Sequence, residues 1–137
     1  MNHLILFILL VASYFEPNEA CKENHVVIHN ELGPGKILQL HCKSEDDDLG
    51  IQKFNYKAPP SIIRFHDSAV KLTTWRCVFR HGPQMKSFND VQVYRAGRRL
   101  VPRCGQLRVW TARPDGIYFK RKLQEPLKLK FFWNKDL

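Results

Sequence analysis

The stretch Leu127-Lys128-Leu129-Lys130-Phe131-Phe132-Trp133 decides how the rest of the chain is read. Successive side chains of a strand point to opposite faces, so Leu127, Leu129, Phe131 and Trp133 share one face and Lys128 and Lys130 the other. Wound as a helix, the same apolar residues would scatter around the circumference. Earlier segments repeat the pattern. Val26 to Asn30 is β-branched and stops at Leu32-Gly33-Pro34-Gly35, a turn signal. Leu38, Leu40 and Cys42 alternate with Gln39, His41 and Lys43, and Ser61 to Phe65 follows the Pro59-Pro60 break. Trp75, Cys77 and Phe79 alternate with Arg76, Val78 and Arg80 before His81-Gly82-Pro83 turns the chain. Val91 to Tyr94 and Leu107 to Ala112 are two more strands, and Asp115-Gly116 is a hairpin dipeptide ahead of Ile117 and Phe119. No segment carries a helical stripe. Eight short strands parted by Gly, Pro and Asp turns predict an all-β fold, a small antiparallel β-sandwich.

The first twenty residues stand apart from that pattern. Leu4 to Ala12 is an unbroken apolar run, followed by Pro17, Asn18, Glu19 and Ala20. It is too short to cross a bilayer, which needs about 20 apolar residues, and it has the form of a secretory leader's apolar segment. Residues 1–20 are therefore read as a signal peptide cleaved after Ala20, and residues 21–137 as one domain. The leader holds Glu16 and Glu19 and no Lys or Arg, so the whole chain's +9 becomes +11 in the remaining 117 residues. A chain of 137 residues has no room for a Rossmann or barrel enzyme, and no glycine-rich phosphate loop occurs.

Secretion places Cys21, Cys42, Cys77 and Cys104 in an oxidising compartment, where all four can pair. Four cysteines allow three connectivities, and spacing alone does not choose among them. With no Cys-x-x-Cys, two structural disulfides are expected, each contributing about 3–4 kcal/mol by restricting the unfolded chain.

The residues after the second strand carry a family resemblance. His41-Cys42-Lys43-Ser44 followed by an acidic turn, Asp47-Asp48-Leu49-Gly50, resembles the plant self-incompatibility S-protein homologues. So do the first strand, Val26-x-Ile28-x-Asn30-x-Leu32, and the later Thr73-x-Trp75-x-Cys77-x-Phe79. Phe88 and Tyr94 around a strand, and Trp110 with Asp115, Gly116 and Tyr118, complete an ordered set covering nearly all of residues 24–133. One position departs from the pattern. Arg108 stands where the family has a second late cysteine, two residues before the tryptophan, while Cys21 lies outside the usual four. The resemblance therefore implies that Cys21 pairs with whichever cysteine lost its partner. It also implies a disulfide-stabilised sandwich, secreted and extracellular; in the founding members it implies a ligand of female tissue recognised by a pollen receptor.

Three groups of residues offer chemistry. Glu45-Asp46-Asp47-Asp48 suits a hard cation, but it lacks the alternation and distal Glu of an EF-hand and reads better as a solvated turn. His25, His29, His41, His66 and His81 with Lys43 are a ribonuclease-like complement. Yet His29 and His41 alternate with apolar residues on strands, where an outward histidine needs no function. Neither catalytic residues nor a metal or cofactor is expected. Basic residues gather late: Arg95, Arg98, Arg99, Arg103, Arg108 and Arg113, then Lys120 to Lys122, Lys128 and Lys130. Arg98, Arg99 and Arg103 are taken as a basic surface that attracts polyanions over the screening length of about 8 Å.

The sequence thus predicts a monomeric extracellular ligand for a cell-surface receptor, presenting the turns at residues 44–50, 81–90 and 95–103. The runner-up is a cationic effector or defence protein that binds anionic wall polymers or lipid. Nucleic acid belongs to another compartment, and no base-reading motif occurs.

Overall fold

The computed structural model describes residues 21–68, 72–97 and 103–136, so the leader, Arg98 and Arg99 lie outside the described residues. Ten strands run in chain order: β1 (Asn24–Asn30), β2 (Ile37–Lys43), β3 (Asp48–Asn55), β4 (Ser61–Phe65), β5 (Thr74–His81), β6 (Ser87–Arg95), β7 (Leu107–Arg113), β8 (Gly116–Lys120), β9 (Lys128–Phe131) and β10 (Asn134–Lys135). They form two five-stranded sheets, β4-β1-β7-β8-β9 and β10-β6-β5-β2-β3, stacked as a sandwich.

The alternation seen in the sequence is what builds it. On β1, Asn24, Val26, Ile28 and Asn30 are buried while His25, Val27 and His29 are half-exposed. Leu38 and Leu40 of β2, Phe79 of β5, Val91 and Val93 of β6 and Ile117 of β8 meet these residues in a core closed to solvent. Trp110 joins the layers: its indole Nε1 donates to the Val93 carbonyl of the opposite sheet at 3.0 Å. Phe119 tilts against it with ring centres 4.4 Å apart.

Four features depart from the sequence reading. The sandwich is not wholly antiparallel, because β1 and β7 pair in parallel from His25↔Leu107 to Asn30↔Ala112. The 44–50 turn is shorter than expected: it closes between Ser44 and Asp47, while Asp48, Leu49 and Gly50 already belong to β3, a strand with mostly exposed side chains. Half of the 81–90 region is strand, because His81 ends β5 and Ser87–Arg95 pairs with β5 along its length, which leaves one 3-10 turn at Pro83–Met85. The last strand ends at Phe131; the chain then crosses to the other sheet, where Asn134–Lys135 pairs with β6.

The two disulfides connect Cys21 to Cys104 and Cys42 to Cys77. The first gives the additional cysteine a partner, as the resemblance implied. In the second, Cys42 and Cys77 stand directly opposite on β2 and β5 with both side chains in the core.

Candidate functional site

The residues that carried the resemblance fall into two clusters of different character. The first surrounds the β2–β3 hairpin. Cys42 points inward, so its neighbours His41 and Lys43 point out, and both meet Asp48 across the hairpin. His41 Nε2 lies 2.7 Å from Asp48 Oδ1, and Lys43 Nζ lies 3.9 Å from Asp48 Oδ2. The same Oδ1 accepts the Gly50 backbone N–H at 2.8 Å. That backbone hydrogen bond, then the His41 contact, holds the Asp48 carboxyl below its ordinary value of 3.8. Ser44 Oγ accepts the Asp47 N–H, and Ser44 N–H donates to the Asp47 carbonyl, closing the turn from both sides. Gly50 sits at φ 72°, a left-handed conformation that costs a non-glycine residue about 1–2 kcal/mol. Leu49 and Ile51 are 41% and 62% exposed on the same strand.

Beside the hairpin lies a shallow cleft of about 370 Å³ on the outer face of β2, β5 and β6. His41, Lys43, Glu45, Arg76 and Asp90 line it, and Arg76 Nε reaches Asp90 Oδ1 at 3.3 Å. Charges of both signs alternate there, over apolar surface from Val78 and Thr74. The arrangement suits recognition of a mixed polar surface.

The second cluster is architectural. Trp110 is core, and Tyr118 OH donates to Asp115 Oδ2 at 2.6 Å, with the Arg113 guanidinium 4.6 Å above the Tyr118 ring. Gly116 is not part of the hairpin loop as the dipeptide suggested. It is the first residue of β8, paired with Arg113, and the loop is Pro114-Asp115. Its hydrogen side faces β9 so closely that a Cβ would sit 2.5 Å from the Phe131 carbonyl oxygen.

The remaining histidines are dispersed. His25 and His29 project from the outer face of β1, and His81 lies against Trp133 at the far end of β5. Among the described residues no group of three or more His, Cys, Asp or Glu is placed to hold a metal ion.

The basic surface reads differently in three dimensions. Arg103, next to the Cys21–Cys104 bridge, is half-buried rather than displayed; its backbone N–H donates to Asp67 Oδ2 at 3.1 Å, and its Nε is enclosed without a hydrogen-bond partner. Arg108, on the inward face of β7, is only 6% exposed, its guanidinium 5.3 Å from the Tyr94 ring centre. Its hydrogen bonds go to neutral oxygens, the Leu107 carbonyl at 2.9 Å and Gln106 Oε1 at 3.4 Å. Burial, and next the charge of Arg121, lower the Arg108 pKa.

The acid in that neighbourhood, Asp67, is held by Asn24 Nδ2 at 2.9 Å, Tyr94 OH at 2.7 Å and the Arg103 N–H. Burial, and then the Asp67 hydrogen bond, raise the Tyr94 phenol far above its ordinary value of 10.0. This group of buried polar residues was missed from the sequence. The available signal was parity: Arg108 shares its face of β7 with Trp110 and Ala112.

Comparison with known proteins agrees with this architecture. The family described as "Plant self-incompatibility protein S1" matches residues 25–133. S-protein homolog 25 of Arabidopsis thaliana is 54% identical over 99% of this chain and all of its own length. S-protein homolog 30 of the same plant is 54% identical over 93% of this chain and 99% of its own. A solved structure from the self-incompatibility protein homologues, described as a widespread family of small, highly stable, secreted plant proteins, superposes with a TM-score of 0.68. It is 38% identical and covers 86% of this chain and all of that one. With its two-sheet fold, its disulfides and its ordered motifs, the chain belongs to the plant self-incompatibility protein S1 family, the secreted S-protein homologues.

Proposed function

We propose that this protein is an extracellular recognition ligand that binds a cell-surface receptor without catalysing a reaction. The observation that carries the reading is the β2–β3 hairpin. It is anchored from beneath by Cys42–Cys77 and fixed above by Asp48, and it presents Leu49 and Ile51 beside a cleft of mixed charge. A rigid apolar contact rimmed by charge is the anatomy of a binding hot spot, since little ordering entropy is lost on association.

The test is binding of fluorescent protein, residues 21–137, to plant protoplasts. Saturable binding that disappears after surface proteolysis is expected, with I51E weakening it about tenfold or more while the melting temperature stays unchanged. Binding that survives proteolysis and fades smoothly with salt would instead identify a cationic protein held by anionic lipid, and retention by isolated wall material but not by protoplasts would identify one held by anionic wall polymers.

A further inference from the structure

The four edges of the two sheets are of unequal length. β4, β9 and β10 end their sheets with five, four and two residues, whereas β3 ends its sheet with eight. A long open edge presents a row of unpaired backbone groups, and folded proteins usually shorten, cover or bend such a strand. Among the described residues no strand lies on the far side of β3.

Which backbone groups of β3 face outward follows from the neighbouring ladder. Cys42 and Cys77 stand 4.0 Å apart between Cα atoms, the close spacing of an antiparallel pair that shares no backbone hydrogen bonds. By alternation Gln39 and His41 bond to β5, so Leu38 and Leu40 bond to β3 through Phe54 and Gln52. The N–H and C=O groups of Ile51 and Lys53 therefore point away from β2, along the open edge. Their side chains lie on the outer face, opposite His41 and Gln39. Ile51 is 62% exposed, and Lys53 has no ion-pair partner among the described residues.

We propose, resting on the receptor reading above, that β3 accepts an extended segment of the partner protein as an added strand. Running antiparallel, that segment sets a carboxylate opposite Lys53 and, two residues later, an apolar side chain opposite Ile51. Backbone hydrogen bonds to Ile51 and Lys53 hold such a strand, and the alternate side chains select it. The charges of β3 disfavour a second copy of this chain as the occupant. Its one acid is Asp48, whose carboxylate already accepts the Gly50 N–H and meets His41 and Lys43. Two β3 strands paired in parallel and in register would set Lys53 against Lys53, like charges that destabilise a sheet. The unmatched lysine thus calls for an acid from outside.

The experiment titrates isotope-labelled protein with the end-capped peptide TETVTV, which sets glutamate opposite Lys53 and valine opposite Ile51. The controls are TKTVTV and a TETVTV methylated on the glutamate and first valine nitrogens. TETVTV should slow amide exchange at Ile51 and Lys53 and bind about fivefold more tightly than TKTVTV, while the methylated form does not bind. K53E, a change on an exposed side chain, should reverse the preference between the two unmethylated peptides. K53P removes an outward N–H and no β2–β3 bond, so it should abolish peptide binding and weaken protoplast binding about tenfold or more. Peptide addition at β3 without saturable protoplast binding would support the edge and refute the receptor reading. Protoplast binding unchanged in both K53P and K53E would overturn this docking mode and leave the receptor reading standing. Exchange slowed elsewhere, or equal affinity for the methylated peptide, would overturn the edge itself. So would a concentration-dependent dimer that protects Ile51 and Lys53 without peptide, since the occupant is then a second copy.

Discussion

His81 ends β5 with its imidazole edge-on to Trp133, ring centres 4.2 Å apart, and its Nε2 is enclosed without a hydrogen-bond partner. Burial, and then the positive charge of Lys36, hold its pKa below the ordinary 6.5. The folded state therefore binds this proton less readily than the unfolded chain. His81 contributes fully above pH 6.5, and that contribution is lost as pH falls from there through the lowered value. The urea midpoint is expected to drop between about pH 7.5 and about pH 5, and H81F should flatten that drop. An identical slope in H81F would place the titration elsewhere. Asp48, also depressed, acts only below its ordinary 3.8, so the two windows do not overlap. At this scale the sequence was only partly readable. His41 beside Asp48 lay within one quoted motif, but nothing local indicated that His81 would meet a tryptophan 52 positions later.

Gly116 governs how two strands approach. A methyl group there would meet the Phe131 carbonyl oxygen at 2.5 Å and Leu129 Cδ1 at 2.6 Å. G116A is expected to push β9 off β8 at a cost of about 1–3 kcal/mol, as overpacking typically does. Urea denaturation measures the loss, and amide exchange should localise it to residues 128–131; uniform loss of protection would point to global unfolding instead. Elements whose apolar residues alternate between a wet and a dry face were legible, β1, β2 and β5 above all. β3 was not, because as an edge strand it exposes the successive residues Ile51, Gln52 and Lys53 alike and so has little contrast between faces. β9 was overextended for the opposite reason. Leu127 and Trp133 keep the period of two, but Trp133 bridges the sandwich, its Nε1 donating to the Arg113 carbonyl of β9's own sheet at 2.8 Å while its ring lies against His81 of the other sheet.

The molecule as a whole is organised by contacts between distant parts of the chain. β1 lies between β4 and β7, and its parallel partner arrives only after five intervening strands, four of them in the other sheet. Periodicity assigns strands to faces but does not say which strand will be the neighbour, so the parallel pair was not readable from the sequence. The Cys21–Cys104 bridge spans 83 residues and ties the start of β1's segment to the start of β7's. Restricting a loop of that length is worth about 4–5 kcal/mol in the chain-entropy description. C21S/C104S should lose about that much stability in guanidinium and also fold more slowly, because β1 and β7 must then meet by chain search. Unchanged refolding kinetics would show that this pair docks only after the rate-limiting step.

The crossing from β9 to β10 has a practical consequence. Asn89 Nδ2 donates to the Phe132 carbonyl at 2.9 Å, Arg80 reaches Asp136 at 2.8 Å, and the Asp136 N–H donates to the Lys86 carbonyl at 2.8 Å. With Cys21 covalently held at the opposite end of residues 21–136, neither extremity of that span offers a loose thread. A protease that needs several residues of slack, extended chain finds almost none at either edge of that span.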